Sequence, residues 1–385
     1  GINTLCTHAG NLEDKQFQGA ISPLYMSSSY AYENVDVKRY PRYFNTPNQE
    51  ALGKKIAALE HCEAGMVFGS GMAAISHSLL AFLQKGDHVV LPMNLYGGTY
   101  NFVVEEFEKF GIEYSFTDGF SEEDFTSEIK TNTKVIYIET PSNPLMHITD
   151  LEMIAKIARD RGIVTMIDNT FASPVNQNPA DFGIDIIIHS ATKYMGGHSD
   201  ICAGTVSSSQ VYMDRIWNLS KNFGGSLSDY TVWLLERSIK TMGIRVKAQN
   251  RNARKIARWL EKHELVKKVY YPGLKTHPDH KIAKKQMRGY TGMMSFELIE
   301  SLDAEAFMNT LKMIKQSMSL AGVESTILSP AKTSHALLSP EERERQGISD
   351  RLLRFSVGIE DRKDIIRDLE QAFKTIDQRQ LETSE

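Results

Sequence analysis

The 385-residue sequence predicts an α/β protein, with a mostly parallel β-sheet covered by helices and a smaller α+β domain towards the C-terminal end. Three observations predict this. The chain is too long for one small module. Short runs of β-branched residues alternate with helix-period segments from about residue 64 onward, which is typical of parallel sheets buried on both faces. After about residue 264 the order of strands and helices becomes less regular, which indicates a second fold.

The segments follow from their apolar periodicity and flanking residues. In "PNQEALGKKIAALE", an early proline and the apolar face of Leu52, Ile56 and Leu59 predict a helix over 47–60. The same criteria predict strands at 65–68, 87–92, 134–140, 162–168, 184–190, 203–209, 266–271, 292–298 and 352–357. They predict helices at 72–83, 97–110, 150–160, 303–316 and 360–377, and one long helix or two joined helices between 228 and 262.

Composition along the chain suggests three parts. The first forty-odd residues are rich in Ser, Tyr, Asn and Pro and have no sustained period, so we predict an N-terminal arm over 1–45. The sequence leaves open whether this arm wraps a partner subunit or its own core. We predict a large α/β domain over 46–245 and a C-terminal domain over 246–385.

Charge and cysteine content exclude several classes of protein. The net charge of −4 gives no basic surface of the kind that binds nucleic acid. We find no apolar stretch that could cross a bilayer and no signal-peptide pattern, although a segment could have been removed before Gly1. Cys6, Cys62 and Cys202 are too widely spaced for a zinc site and too few for a disulfide framework. We therefore expect a cytoplasmic protein without a metal.

Candidate site residues follow the predicted strands, where ligands of parallel sheets bind. "GSGMAA", from Gly69, could seat a phosphate at a helix N-terminus or form only a tight turn. Tyr96, in "MNLYGGTY", could lie over a planar ligand or pack on the core. Asp168 ends a strand, and a carboxylate there could cap the next helix or pair with a protonated ring nitrogen.

Lys193 completes this set in "IDIIIHSATKYMGGHSD", which runs from 184 to 200. Most lysines are solvated, but this one follows an apolar strand and has the hydroxyl residues Ser190 and Thr192 beside it. Lysine amines form Schiff bases when their surroundings lower their pKa. These residues together predict a pyridoxal phosphate site, with a phosphate-binding turn, an aromatic ring to stack on the cofactor, an anion for the ring nitrogen and a lysine for the aldehyde. The glycine spacing does not fit a dinucleotide.

Seven motifs, taken together, resemble one enzyme family. They are "THAG", "SGMAA", "YGGT", "ETPSNP", "DNTF", "HSATKYMGGHSD" and "LLRFSVGIED", and they extend over nearly the whole chain. The chain resembles the pyridoxal-phosphate enzymes of cysteine and methionine metabolism, which include cystathionine γ-synthase, cystathionine β- and γ-lyases, methionine γ-lyase and O-acetylhomoserine sulfhydrylase. The resemblance implies a fold type I, aspartate-aminotransferase-like large domain with a smaller α+β C-terminal domain.

The resemblance also implies a role for each site residue. It implies that Lys193 bonds to the cofactor aldehyde, that Asp168 pairs with the ring nitrogen, and that Tyr96 stacks on the ring and exchanges a proton with the leaving or incoming group. The implied phosphate contacts are Gly71, Met72, Ser190 and Thr192, with Tyr40 and Arg42 from a neighbouring subunit. The implied substrate contacts are Arg354 for the α-carboxylate, Asn143, Ser319, which would orient Lys193, and Met318. A homo-oligomer, most simply a dimer of dimers, would follow.

Three positions depart from the pattern of particular family members. Arg39 and Met318 stand where enzymes that grip the distal end of cystathionine often carry acidic residues, and Gly98 replaces the usual cysteine of methionine γ-lyases. We therefore predict a carbon–sulfur lyase acting at Cβ or Cγ of a sulfur amino acid of the cystathionine, methionine, cysteine or homocysteine class. The alternatives are a γ-replacement synthase, a pyridoxal-phosphate aminotransferase and an inactive scaffold.

Four other features are given structural interpretations. His189 is expected to pack beside the site. "HPDH", 277–280, is expected to form a solvated turn. "KIAKKQMR", 281–288, and "EERER", 341–345, are expected to be solvated helical faces.

Overall fold

The computed structural model describes residues 1–333 and 339–384, and the chain divides into two compact units. The first unit comprises Gly1–Thr140 and Thr149–Ile244. The second comprises Pro141–Ile148 and the residues from Arg245 onward. A short segment that lies inside the first unit in sequence therefore belongs to the second, which the three predicted parts of the chain did not anticipate.

The first unit contains seven strands and most of the helices. Its strands are β1 (Ala64–Phe68), β2 (His88–Pro92), β3 (Glu113–Thr117), β4 (Thr133–Glu139), β5 (Val164–Asp168), β6 (Ile186–Ser190) and β7 (Gly204–Ser208). Its helices are α1 (Ile2–His8), α2 (Pro47–Glu60), α3 (Gly71–Phe82), α4 (Gly97–Phe110), α5 (Glu122–Ser127), α6 (Leu151–Arg159), α7 (Ser173–Asn176), α8 (Gln210–Phe223) and α9 (Asp229–Ile239). Helix α10 (Met242–Leu260) begins in this unit and continues into the second.

The seven strands form one sheet in the order β1-β7-β6-β5-β4-β2-β3. Only β7 runs antiparallel to its neighbours, so the predicted, mostly parallel sheet is confirmed. Alternate residues of a strand pack on opposite faces of the sheet. Ile186 and Ile188 of β6 accordingly belong to one apolar cluster, whereas Ile187 belongs to another. Both faces are buried, as the continuous apolar runs indicate.

The second unit is the predicted α+β fold. Its five-stranded sheet has the order β10-β11-β12-β9-β8, in which only β10 and β11 pair in parallel. The strands are β8 (Val266–Tyr270), β9 (Met293–Leu298), β10 (Lys315–Gln316), β11 (Thr326–Leu328) and β12 (Leu352–Ser356). The helices are α11 (His280–Gln286), α12 (Ala304–Thr310), α13 (Pro340–Arg345) and α14 (Arg362–Ser384). Phe296, Phe307, Phe355 and Phe373 are buried together in its core.

The helix predicted at 303–316 is too long, because α12 ends at Thr310. The backbone N–H groups of Lys312, Met313 and Ile314 donate to the carboxylate of Asp368 on α14, at 2.8–2.9 Å. These bonds replace the helical ones and lead the chain into β10. A side chain 54 or more positions away makes this choice, so no local pattern could predict it.

Other elements were absent from the prediction. They are α1 within the arm, the strands β3, β10 and β11, and the helices α5, α7 and α8. Helix α1 has one buried side chain, Cys6, and the ammonium of Lys55 donates to the Cys6 carbonyl, so tertiary contacts hold it rather than an apolar stripe. Over residues 1–333 and 339–384, none of the helices combines the length and apolarity that a membrane span requires.

Candidate active site

The carboxyl ends of β1, β2, β5 and β6 lie at one edge of the first unit's sheet, because these strands run parallel to one another. The structure therefore places Gly71, Tyr96, Asp168 and Lys193, each at or just after one of these ends, along the same edge. In open α/β sheets this is the edge where ligands bind.

The N-terminus of α3 packs tightly against the end of β6. A Cβ atom on Gly71 would come within 2.8 Å of the Ser190 Cβ, so only glycine allows this approach. The Ser70 hydroxyl caps the helix by accepting from the Ala73 N–H at 3.0 Å. The first turn of a helix leaves N–H groups without intrahelical acceptors, and those of Gly71 and Met72 fit an anionic phosphate beside Ser190.

Tyr96 is the N-cap residue of α4, and a carboxylate at the end of the neighbouring strand β4 binds its backbone N–H. Its N–H donates to Glu139 Oε2 at 2.8 Å, and Glu139 is buried at the end of β4. A Cβ atom on Gly98 would lie 2.6 Å from Tyr96 Cε1 and 3.1 Å from Met72 Sδ. The absence of a side chain at position 98 thus leaves room for both the tyrosine ring and the Met72 sulfur beside this glycine, with 48% of Tyr96 exposed.

Asp168 is a buried carboxylate at the end of β5. Its Oδ1 accepts from the Thr170 N–H at 2.9 Å. Burial raises the pKa of Asp168, while the Thr170 hydrogen bonds and the nearby charges of His189 and Lys193 oppose that rise without cancelling it. Such a carboxylate ionises readily only when a cationic group lies beside it, and a protonated ring nitrogen is a group of that kind.

Lys193 lies in the turn that follows β6. Its N–H donates to the Ser190 carbonyl, and its own carbonyl accepts from the Gly197 N–H at 2.7 Å. The neighbouring Thr192 hydroxyl donates to the Ala203 carbonyl at 3.2 Å and accepts from the Ala203 N–H at 3.0 Å. Since a hydroxyl has one hydrogen, Thr192 would have to release Ala203 before it could donate to a phosphate. Its role at the phosphate stays a prediction.

A buried polar network stabilises the ends of β5 and β6 on the other side of the sheet. His189 Nε2 makes a short contact with Glu60 Oε1, and both side chains are buried. Asn169, which follows Asp168, donates to the same Glu60 oxygen at 3.2 Å. His189 therefore packs beside the site, as expected, and it contacts the buried Glu60 carboxylate rather than only apolar side chains.

Tyr40 and Arg42, the residues predicted to reach a neighbouring subunit, are exposed. The Arg42 guanidinium carbon lies 5.7 Å from the Tyr40 ring centroid and 5.2 Å from that of Tyr43. Arg42 also donates to the Lys221 carbonyl. Within the single chain these two residues contact each other, and their contribution to a phosphate site stays a prediction.

The predicted substrate-binding residues lie in the second unit. Arg354 of β12 is buried, and its Nη1 donates to Asn143 Oδ1 at 3.0 Å while Nη2 donates to the Ser319 carbonyl at 3.2 Å. Ser319 has a positive φ of 74°, and the preceding Met318 is 71% exposed. The structure thus brings Arg354, Asn143 and Ser319 together and holds the guanidinium in one orientation.

Two residues that contact this machinery were not singled out from the sequence. Glu139 is a carboxylate at a strand end, and the rule that selected Asp168 would also have selected it. Thr170 lies within the "DNTF" motif, but its bonds to Asp168 and to the Ser190 N–H depend on how β5 and β6 pair. Glu139 could therefore have been selected from the sequence, whereas the role of Thr170 could be recognised only from the folded structure.

These residues fit pyridoxal phosphate. Gly71 leaves room at the helix N-terminus where a Cβ atom would fill the space, and Asp168 is a buried carboxyl group whose ionised form needs a cationic partner. The fold and the strand-end residues together define a pyridoxal-phosphate-dependent enzyme with a mostly parallel α/β sheet and a smaller C-terminal fold.

Comparison with known proteins identifies the family. The model of the Cys/Met metabolism PLP-dependent enzymes matches residues 3–374, and the chain belongs to this family. Cystathionine γ-lyase of Bacillus subtilis is 43% identical over 97% of this chain and 99% of its own length. Cystathionine β-lyase of Lactococcus lactis subsp. cremoris is 41% identical over 97% and 99%. The structure of cystathionine γ-lyase from Lactobacillus plantarum in complex with L-serine superposes with a TM-score of 0.94, at 38% identity, over 98% of this chain and 99% of that one.

Proposed function

We propose that this enzyme is a pyridoxal-phosphate-dependent carbon–sulfur lyase that eliminates at Cβ or Cγ of a sulfur amino acid. One observation carries the proposal: in a chain that matches the family from residue 3 to residue 374, Lys193 lies one strand beyond the buried Asp168 at the carboxyl edge of the sheet. Relatives named as cystathionine γ- and β-lyases, at 43% and 41% identity, support the lyase assignment.

The assignment gives Lys193 and Asp168 complementary tasks. When bound, the cofactor supplies an aldehyde for covalent attachment of amines and a ring that accepts electrons from the substrate carbon. The Nζ of Lys193 takes the proton from substrate Cα and, for elimination at Cγ, also moves a proton at Cβ. Asp168, buried and bonded by Thr170, keeps a proton on the facing ring nitrogen because its own ionised form needs that positive charge.

Other residues orient the substrate and protonate the leaving group. Arg354 binds the α-carboxylate through its planar guanidinium, with Asn143 fixing the plane by accepting from Nη1. The Tyr96 hydroxyl donates a proton to the departing sulfur. Elimination would then release a thiol or sulfide, and one water molecule would hydrolyse the remaining unsaturated amine to an oxoacid and ammonia.

The surroundings of Arg39 and Met318 bear on the choice of substrate. Arg39 forms an ion pair with Glu50 at 2.9 Å, and Met318 is exposed. Neither side chain offers a negative charge that could bind the distal ammonium group of cystathionine. This favours a thioether or small-thiol amino acid as the substrate over cystathionine. The second candidate function is γ-replacement on an activated homoserine ester, because it uses the same lysine, aspartate and arginine.

Three further assignments remain proposals. The chain acts as a homo-oligomer in which Tyr40 and Arg42 reach the phosphate of a neighbouring subunit, and their exposure in the single chain is compatible with this. The small number and wide spacing of the three cysteines favour a cytoplasmic location. The three parts of the chain over 1–45, 46–245 and 246–385 stay a prediction.

A substrate panel tests the reaction. The holoenzyme is supplied with cystathionine, methionine, cysteine or homocysteine, and oxoacid and thiol are measured together. We expect both products from at least one substrate. Thioether formation from an acylhomoserine and a thiol, without oxoacid from any sulfur amino acid, would establish the synthase instead. Accumulation of the pyridoxamine form would establish an aminotransferase.

The identity of the lysine is tested chemically. Reduction of the holoenzyme with borohydride, followed by proteolysis and mass spectrometry, is expected to place the cofactor on Lys193. A label on another side chain would contradict the assignment, and Lys193→Ala provides the matched protein that should carry none.

A further inference from the structure

The turn at 277–280 is not the solvated turn that its sequence suggests. His277 is 4% exposed, and the Asp279 side chain is 22% exposed. Burial, the largest effect, lowers the pKa of His277 to about 4, so its ring is neutral at pH 7. Its Nδ1 accepts from the Asp279 N–H at 3.2 Å. This turn is therefore an ordered part of the second unit.

Asp279 is at the N-cap position of α11, yet its carboxylate makes no capping bond. A carboxylate there normally accepts from the first-turn N–H groups of its own helix. Here Oδ2 instead accepts from the Ile148 N–H at 3.1 Å and contacts His147 Nδ1 at 3.2 Å. Burial favours a raised pKa for Asp279, but the bonds from His147 and Ile148 outweigh it and lower the pKa.

His147 and Ile148 end the segment Pro141–Ile148, which belongs to the second unit. Other contacts hold the middle of this segment. The Ser295 hydroxyl donates to the Pro144 carbonyl at 2.7 Å, and Leu145 packs with Ile348 and Leu352. Asn143, near its start, accepts from Arg354. Asp279 is thus the carboxylate that anchors one end of a segment whose other end orients the guanidinium.

The segment is also closed on itself, so a change at one end reaches the other. The Ser142 N–H donates to the His147 carbonyl at 3.0 Å, and the Met146 N–H donates to the Ser142 carbonyl at 2.9 Å. Ser142 precedes Asn143 directly. Movement of His147 therefore displaces the backbone next to the amide that contacts Arg354.

We propose that Asp279 is a positioning residue for recognition of the substrate carboxylate, acting through Pro141–Ile148 on Asn143 and Arg354. This rests on the proposed function, in which Arg354 binds the carboxylate. In this role Asp279 acts through its bonds to His147 and Ile148 and not by contact with the substrate. Its removal leaves the guanidinium in place but lets Asn143 move, so carboxylate recognition weakens while attachment of amines to the cofactor does not.

Two amines that differ only in the carboxylate separate these effects. The cofactor absorbance of the holoenzyme is titrated with L-serine and with ethanolamine, and the ratio of the two dissociation constants measures carboxylate recognition. We expect Asp279→Ala to reduce the preference for L-serine about 10-fold, mainly through L-serine binding. Arg354→Ala should abolish the preference. In turnover of the sulfur substrate, Asp279→Ala should raise KM more than it lowers kcat.

Asp303→Ala is the matched control, because Asp303 caps α12 by accepting from the Ala306 N–H and lies outside the segment's contacts. It should leave the ratio unchanged. Should Asp279→Ala fail to fold, Asp279→Asn, which keeps an acceptor for Ile148 but loses the charge facing His147, should still reduce the ratio. An unchanged ratio in a folded Asp279 variant, with the ratio lost in Arg354→Ala, overturns the inference alone. An unchanged ratio in Arg354→Ala overturns the proposed carboxylate site itself.

Discussion

Arg354 and Ser295 are direct cross-strand partners in β12 and β9, and their side chains bond to the consecutive residues Asn143 and Pro144. This cross-strand pair therefore includes Arg354, the predicted carboxylate-binding residue, and Ser295, which fixes the backbone directly after Asn143. Rigid strands fix side chains more closely than loops do, which suits a group that must present a planar fork to its ligand.

Ser295→Ala should weaken substrate binding without removing the guanidinium. The buried hydroxyl donates to the Pro144 carbonyl at 2.7 Å, and loss of such a bond costs about 1 kcal/mol. We expect KM for the sulfur substrate to rise about 5-fold, with kcat nearly unchanged. Ser349→Ala is the control, because the Ser349 hydroxyl bonds to Glu297 of the same strand and not to the segment. Equal effects of both substitutions on KM would contradict this.

Asp168→Asn should stabilise the apoprotein and impair the holoenzyme. Because burial raises the pKa of Asp168 in the folded state, the folded protein holds this proton more tightly than the unfolded chain. The resulting stability is full below the ordinary pKa of 3.8 and is lost as the pH rises through the higher folded value. Asparagine does not ionise and avoids this loss of stability. The Tm of Asp168→Asn should therefore exceed that of wild type by roughly 2–4 °C at pH 8, and by less at pH 4.

In the apoprotein there is no ring nitrogen to neutralise, so replacing the carboxylate with a neutral amide does not reduce stability. In the holoenzyme the amide cannot keep a proton on the ring nitrogen. We expect kcat of the reconstituted Asp168→Asn enzyme to fall about 100-fold or more. Asp214→Asn, at an exposed position on α8, is the control for both measurements. An Asp168→Asn apoprotein that is less stable than wild type at pH 8 would show that the buried charge is already compensated.

The placement of Gly71, Tyr96, Asp168 and Lys193 along one edge of the sheet was predictable from the sequence, because each of them follows or ends a strand with a strong local signal. The helices at 47–60 and 97–110 are observed with the predicted bounds, and their starts carry a proline and a glycine pair. Strand β3, "EYSFT", lacks an apolar run because it lies at the sheet edge and stays partly exposed, so the pattern missed it.

What the sequence could not provide is contact between distant segments. Nothing near Asp279 in sequence indicates that its carboxylate serves Ile148, which lies 131 positions earlier, instead of its own helix. The Thr192 hydroxyl, whose phosphate contact stays a prediction, bonds to Ala203, and nothing near Thr192 in sequence indicates that contact. Both cases concern the choice of partner for a polar group, and several partners satisfy the same local rule.

Gly98→Ala should displace the Tyr96 ring. On helix propensity alone, alanine would stabilise α4 by about 1 kcal/mol. The new Cβ atom, however, would lie 2.6 Å from Tyr96 Cε1, so the ring must move. We expect a shifted cofactor absorbance and a kcat reduced about 10-fold, with an unchanged or higher Tm. In a Tyr96→Ala background the same substitution should have little effect on kcat, and a full additive loss there would refute displacement of the ring as the cause.

Lys55 should give the stability of the first unit a distinctive pH dependence. Its ammonium is fully buried and donates to the Cys6 carbonyl at 3.2 Å and to Asn11 Oδ1 at 2.9 Å. Burial, with a smaller contribution from the Lys240 charge, lowers the pKa of Lys55 from 10.5 to about 8, although Glu236 opposes the shift. Between these two values the folded protein binds fewer protons than the unfolded chain, so stability from this group rises with pH.

Lys55→Met removes that titration. The difference in free energy of unfolding between wild type and Lys55→Met should increase from pH 7 to pH 10 by up to about 3 kcal/mol, because each unit of pKa shift corresponds to about 1.4 kcal/mol. Comparing the two proteins at the same pH cancels the titration of all other groups. Lys54→Met alters the exposed neighbour on the same helix and should show a constant difference from wild type. A constant difference for Lys55→Met as well would mean that the buried amine keeps its ordinary pKa.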